Sequence, residues 1–182
     1  MTKSSFSQEP QGAKTAIFAA GCFWCIEKDM EALDGVSEAV SGYTGGHVDK
    51  PSYQQVSGGD TAHREAIRVT YDPAKVSYED LLNVFWKNHD PFDNQGQFCD
   101  KGFQYTAAVY YQNDEEKEMA EASKKKWEAK LGQDIVTAIE PAATFFDAED
   151  YHQDYYKKNP VRYKFYRWNC GRDQRLEEVW GK

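Results

Sequence analysis

Cys22 and Cys25 stand three residues apart in Gly21-Cys22-Phe23-Trp24-Cys25. A thiolate is a nucleophile, and two thiols one helical turn apart lie within reach of a disulfide. The large aromatic residues between them offer an apolar wall beside the sulfur. The motif follows the apolar run Thr15-Ala16-Ile17-Phe18-Ala19-Ala20 and precedes an amphipathic stretch over 26–33, an order that reads strand, glycine turn, helix. Cys22 is therefore expected at a helix N-terminus, where unpaired N–H groups and the macrodipole favour an anion and lower a thiol's pKa.

Glu65 is the candidate acid. In the stretch 65–71, Glu65, Ile67, Val69 and Tyr71 alternate with Ala66, Arg68 and Thr70, which predicts a strand. A carboxyl at the edge of the apolar face is desolvated, holds its proton towards neutrality and can act as a general acid. The competing reading is a solvated strand end paired with Arg64 or Arg68. Tyr53, Tyr105 and Asp100 lie in or at the ends of two long polar connections, 47–60 and 90–104. Connections of that length in a compact domain are more often functional than idle, and tyrosine hydroxyls can hold a developing negative oxygen. Taken singly, each tyrosine reads equally as a packed ring. The four histidines, His47, His63, His89 and His152, have no metal-ligand spacing, and no glycine-rich phosphate loop appears. Neither a metal nor another cofactor is expected.

The elements that must position these residues follow from periodicity. Strands are expected over 15–20, 36–43, 65–71 and 105–111, with one or two more over 135–146, interrupted by Pro141. Helices are expected after Cys22, after the capping box opened by Ser77, over 114–131 between Asn113 and Gly132, and over 172–179. A single helical turn is expected near Tyr53. Strands and helices mix without strict alternation, which predicts an α+β two-layer sandwich of the split βαβ kind, ahead of a doubly wound parallel sheet. Residues 1–13 are polar and read as a disordered N-terminal tail, leaving 14–182 as one catalytic domain with an extended C-terminal segment. The 182 residues carry a net charge of −8, which argues against nucleic acid or an anionic membrane as partner. No export signal or membrane span is apparent, so the cytoplasm is the expected compartment, and the cysteines read as reactive thiols rather than a disulfide scaffold.

Two enzymatic readings compete on these residues. One is a thioredoxin-like dithiol–disulfide oxidoreductase, from the Cys-x-x-Cys after a strand. The other is a cysteine-nucleophile enzyme whose acid and hydroxyls come from later loops. A non-catalytic peptide-binding module is a weaker third.

Gly21-Cys22-Phe23-Trp24, Ser41-Gly42-Tyr43-Thr44-Gly45-Gly46, Pro51-Ser52-Tyr53 and His63-Arg64-Glu65-Ala66 follow one another in order. With Asp100-Lys101-Gly102-Phe103-Gln104-Tyr105 and Glu149-Asp150-Tyr151-His152-Gln153, the chain resembles peptide methionine sulfoxide reductase, class A. The resemblance implies a sandwich with a ferredoxin-like core and reduction of the S epimer of methionine sulfoxide, free or in proteins, a repair reaction. It implies Cys22 as nucleophile, Glu65 as acid, and Tyr53 and Tyr105 on the sulfoxide oxygen. Phe23 and Trp24 would enclose the substrate methyl, and Asp100 would organise the site. A Cys22 sulfenic acid would condense with a second thiol, and thioredoxin would reduce that disulfide. The chain departs from the family's commonest pattern, which has glycine at the position of Cys25 and recycling cysteines in a glycine-rich tail. Here one tail cysteine, Cys170, precedes the charged Gly171-Arg172-Asp173-Gln174-Arg175. Cys25 is the first choice as resolving thiol, Cys170 the alternative, and Cys99 a third partner expected to be inert. A monomer suffices for this chemistry.

Overall fold

The computed structural model describes residues 12–181; most of the expected N-terminal tail, residues 1–11, lies outside them. The strands are β1 (Lys14–Ala20), β2 (Val36–Thr44), β3 (Arg64–Tyr71), β4 (Gly96–Gln97), β5 (Asp100–Lys101), β6 (Ala107–Tyr111), β7 (Ala138–Pro141) and β8 (Phe145–Asp147). The helices are α1 (Phe23–Glu31), α2 (Tyr53–Ser57), α3 (Tyr78–Lys87), α4 (Asp114–Leu131), α5 (Tyr155–Lys158), α6 (Pro160–Asn169) and α7 (Arg172–Trp180). Six strands form one sheet in the order β7-β6-β1-β3-β2-β8, antiparallel except for the parallel β6–β7 pair, and β4–β5 form a separate small ribbon. The inner order β6-β1-β3-β2, with α1 and α3 as crossovers, is the ferredoxin-like arrangement, so the two-layer α+β expectation holds.

Strand alternation builds two apolar layers. Ala16, Phe18 and Ala20 of β1, with Ile67 and Val69 of β3 and Val109 of β6, meet Ile26 and Met30 of α1 and Leu81, Phe85 and Trp86 of α3. Phe18 stacks on Phe85 with centroids 5.1 Å apart. Burying a side chain of this size contributes roughly 1.5–3 kcal/mol relative to leaving it exposed. The opposite parity, Ile17, Ala19, Ala66, Ala108 and Tyr110, packs on the other face against Phe145. Both the Ser77 and Ser52 caps close as capping boxes, and Asn113 and Gly132 bound α4 as expected.

The C-terminal segment differs from its sequence reading. Residues 160–169 form α6, opened by Pro160 in its first turn, for which periodicity offers no signal. Only Tyr163 is buried on it, while Val161, Phe165 and Trp168 face outward. Cys170 at the end of α6 is disulfide-bonded to Cys99, which corrects the expectation that all four cysteines are free thiols and that Cys99 is inert. Their side chains meet because α6 lies along the loop that carries Asp100. Closing a loop across a separation of 71 residues restricts the unfolded chain by about 4 kcal/mol. Among the described residues, no helix is long and apolar enough to cross a membrane.

Candidate active site

The glycine turn between β1 and α1 is fixed by crowding. Gly21 has φ +84°, and a Cβ there would come within 2.5 Å of the Gln97 Cβ. Gln97 is itself clamped: Asp90 N–H donates to its Oε1, and its Nε2 donates to the Asp90 carbonyl, both at 2.7 Å. The chain therefore turns sharply, and Cys22 becomes the N-cap of α1. Its side chain makes no capping hydrogen bond. One residue on, the Phe23 N–H donates to Glu65 Oε2 at 3.1 Å. The open end of α1 thus holds the Glu65 carboxyl beside the Cys22 sulfur.

Cys22, Phe23, Trp24, Tyr53, Glu65, Asp100, Tyr105 and Tyr166 line one pocket of about 280 Å³. Every candidate site residue other than the resolving cysteines is in this wall. The face assignment on β3 explains Glu65: it has the parity of Ile67 and Val69 and is only 3% exposed. Arg64 points to the other face, where it donates to Tyr110 Oη at 2.9 Å and pairs with Glu140 at 3.0 Å. Arg68 pairs with Asp147. The reading of Glu65 as a solvated partner of these arginines does not fit.

Burial pushes the Glu65 pKa well above the usual carboxylate range; the Phe23 N–H opposes this, and the neighbouring Asp100 and Cys25 charges add to it. Burial likewise raises Tyr53, and it raises Tyr105 together with the Glu65 charge, so both hydroxyls stay protonated donors. Asp100, raised mainly by burial, accepts a hydrogen bond from the Tyr166 hydroxyl.

The thiols depart from the helix-start expectation. Burial raises Cys22 well above its ordinary pKa, helped by the hydrogen bond with Cys25 and the facing Glu65 and Asp100 carboxyls. Cys25 is instead lowered to about 7, first by the hydrogen bond from Cys22, against burial, and then by the Arg172 and Arg167 charges and the Tyr163 hydroxyl. Desolvation outweighs the helix end because Cys22 is only 6% exposed. The two thiols share a hydrogen bond and lose their protons as a pair.

Several residues of the resemblance-bearing motifs hold the site through contacts that a single sequence does not reveal. Trp24 Nε1 donates to His152 Nδ1 at 3.0 Å, and its ring stacks on Tyr155 at 3.7 Å. His152 also packs on Phe23 and Tyr53. Glu149 accepts from the Tyr53 N–H at 3.2 Å and from the Tyr43 hydroxyl at 3.1 Å, fixing the start of α2. Gln153 bonds both backbone groups of Ser41 on β2, at 2.9 and 2.8 Å. His63 Nδ1 accepts from the Gly46 N–H at 3.0 Å, which pins the glycine pair that follows β2. Tyr166 is the one pocket-lining side chain absent from the sequence-derived set; it sits on α6, the helix that periodicity misses.

A family model described as peptide methionine sulfoxide reductase matches residues 14–182. The Rhizobium meliloti (strain 1021) protein named peptide methionine sulfoxide reductase MsrA 2 is 50% identical over 173 residues, covering 95% of this chain and 85% of its own. Among solved structures, reduced Mxr1 from Saccharomyces cerevisiae aligns with a TM-score of 0.79 at 35% identity, covering 84% of this chain and 88% of that one. Mxr1 in complex with Trx2 aligns with a TM-score of 0.59 at 24% identity over 83% and 90% of the two chains, a likeness of fold.

Proposed function

The chain belongs to the peptide methionine sulfoxide reductase family, and from that premise we propose how its pocket carries out the reaction. It is a thiol-dependent peptide-methionine (S)-S-oxide reductase. The observation that carries the mechanism is the placement of a buried carboxyl, two tyrosine hydroxyls and the Cys22 sulfur around one small pocket.

A sulfoxide is a poor electrophile until its oxygen is protonated. Glu65 gives its proton to that oxygen, and the Tyr53 and Tyr105 hydroxyls hold it as charge develops. Cys22 attacks the sulfur, passing its own proton to Cys25 across their hydrogen bond. Phe23 and Trp24 enclose the S-methyl group, and Asp100, held by Tyr166, orients the substrate. The substrate S–O bond and the transient bond between the two sulfurs then break as the oxygen passes to Cys22 as a sulfenic acid, the thioether leaves, and two electrons have moved from Cys22 to the substrate sulfur. Cys25 then attacks the Cys22 sulfur, the S–O bond breaks, and the hydroxide leaves with the Cys25 proton as water. The pairing of Cys170 with Cys99 favours Cys25 over Cys170 for this second step.

An outside dithiol must return two electrons to the Cys22–Cys25 disulfide. Thioredoxin fits that requirement, and the similarly folded Mxr1 has been captured with Trx2. The substrates are methionine sulfoxide in oxidised proteins and the free amino acid, and the enzyme works as a cytoplasmic monomer. The dithiol-exchanger reading is disfavoured. Cys22 and Cys25 are 6% and 1% exposed, and the acid and tyrosines around Cys22 have no part in exchange between disulfides.

After one turnover without reductant, peptide mapping is expected to show a Cys22–Cys25 disulfide beside an intact Cys99–Cys170. A Cys22–Cys170 linkage with Cys25 free would overturn the assignment. Reduction of insulin disulfides without reduction of the sulfoxide would favour the exchanger.

A further inference from the structure

A cleft of about 480 Å³ opens beside the catalytic pocket, lined by Lys50, Pro51, Phe145, Phe146, Asp147 and Glu149. None of these six side chains takes part in the chemistry at Cys22. The cleft and the pocket nevertheless share a wall. Glu149 lines the cleft, and its Oε2 accepts the Tyr53 N–H at 3.2 Å, while Tyr53 itself lines the catalytic pocket. The Tyr151 hydroxyl donates to the same Glu149 oxygen at 3.4 Å. Its ring, 56% exposed, packs on His152 with centroids 4.1 Å apart, and His152 packs on Tyr53 and Phe23. Glu149 and these rings connect the pocket to the cleft.

The lining is formed in advance of any occupant, because neighbours hold both phenylalanine rings. Phe146 meets His63 edge-on with centroids 5.8 Å apart, and His63 is pinned by the Gly46 N–H. Phe145 lies under the Arg68 guanidinium at 4.9 Å and against Gly42, where a Cβ would come within 2.4 Å of the ring. Pro51 restricts the backbone just before Ser52, the N-cap of α2. β8, which carries both rings, ends the six-stranded sheet, so among the described residues one side of its backbone has no strand partner. A free strand edge accepts an extended polypeptide through main-chain hydrogen bonds, and neighbouring pockets take alternate side chains.

We propose that this cleft is a subsite for protein-bound substrate, taking an apolar side chain that flanks the oxidised methionine in an extended polypeptide. This rests on the reading of the catalytic pocket as the seat of the methionine sulfoxide. The free amino acid has one side chain, and the pocket of about 280 Å³ holds it. Only a polypeptide can fill pocket and cleft together. Consecutive residues of an extended chain advance by about 3.3 Å. The wall to be crossed is the Tyr53–Glu149 contact, so a residue one or two positions from the sulfoxide reaches the cleft. Pro51, Phe145 and Phe146 offer it apolar contact. Asp147 and Glu149 make a carboxylate the poorest occupant. Neither acid calls for a cation, since Asp147 pairs with Arg68 at 3.3 Å and Glu149 accepts from Tyr53, Tyr43 and Tyr151.

The test is steady-state reduction, with a dithiol reductant, of three substrates by the full enzyme. They are free methionine (S)-sulfoxide, a glycine pentapeptide with that residue at its centre and leucine at both ends, and the same peptide with glycine ends. The leucine peptide is expected to show a KM about tenfold below that of the glycine peptide at similar kcat, as for binding energy shared by ground and transition states. Aspartate ends should give no such advantage. Phe146→Ala should remove the advantage of leucine while leaving kcat and KM for the free amino acid within about twofold. Equal KM values for the leucine and glycine peptides, or a Phe146→Ala loss as large for the free amino acid as for the peptide, would overturn the proposal. A second measurement needs no change in the cleft. Cys22→Ser, mixed with the leucine peptide carrying a photoreactive diazirine in place of each leucine side chain, should crosslink at residues 50–52 or 145–147. Crosslinks found only elsewhere by mass spectrometry would overturn it equally. Failure of the wild-type enzyme to release methionine from any of the substrates would refute the sulfoxide reading instead.

Discussion

Cys22→Ser is expected to abolish methionine release, lowering the single-turnover rate by about four orders of magnitude or more, because a serine hydroxyl is a far weaker nucleophile towards sulfur. The substitution removes one atom's identity and little else. Cys22 makes no capping bond to α1, so the helix start should survive. The Phe23 N–H still has Glu65 as its acceptor. An unchanged far-ultraviolet spectrum and an intact Cys99–Cys170 disulfide would separate lost chemistry from lost fold. Release of a full equivalent of methionine by this variant would contradict the assignment, since Cys25, at 1% exposure, does not line the pocket.

Glu65→Gln should slow methionine release by about 10²- to 10⁴-fold, the range expected for losing a positioned general acid. The amide can still accept from the Phe23 N–H, so the loss isolates the mobile proton. The pH dependence follows from the signs. Wild-type release should rise as the thiol pair loses its proton, with Cys25 lowered to about 7. It should fall again at higher pH as Glu65, raised by burial, finally ionises. Glutamine has no ionisation to lose, so the alkaline limb should vanish while the acid limb stays. A profile of unchanged shape would exclude the acid role.

Much of this site was legible without coordinates, for identifiable reasons. Period-two alternation on β3 placed Glu65 with Ile67 and Val69, and that parity alone determines which side of the sheet its carboxyl enters. The glycine turn before α1 placed Cys22 at a helix start. Tyr53 and Tyr105 were reached through the lengths of their loops and through family resemblance, because nothing local to a tyrosine says where its hydroxyl points. Electrostatics was the weaker part. A helix start predicts an acidic Cys22, whereas burial, a tertiary property, pushes its thiol up.

The C-terminal third was the least legible. α6 turns three large apolar side chains outward and buries only Tyr163, so it has no amphipathic signature to detect. Its contributions, Tyr166 on Asp100 and Tyr163 on Cys25, come from contacts across the sequence that spacing cannot encode. The Cys99–Cys170 bond belongs to the same class: a disulfide spanning 71 residues has no local mark. Glu149 and His152 lie in a motif that resemblance picks out, but their work in fixing Tyr53 and Trp24 appears only in the packed structure.

The central claim is that the sulfoxide oxygen passes to Cys22. It is tested most directly with Cys25→Ser, which keeps the nucleophile and removes its resolving partner. Treated with methionine (S)-sulfoxide and no reductant, this variant should release one equivalent of methionine. It should also carry one added oxygen on Cys22, reactive towards a sulfenic-acid-trapping dione and located there by mass spectrometry. Methionine released with Cys22 unmodified, or the oxygen found on another residue, would contradict the account.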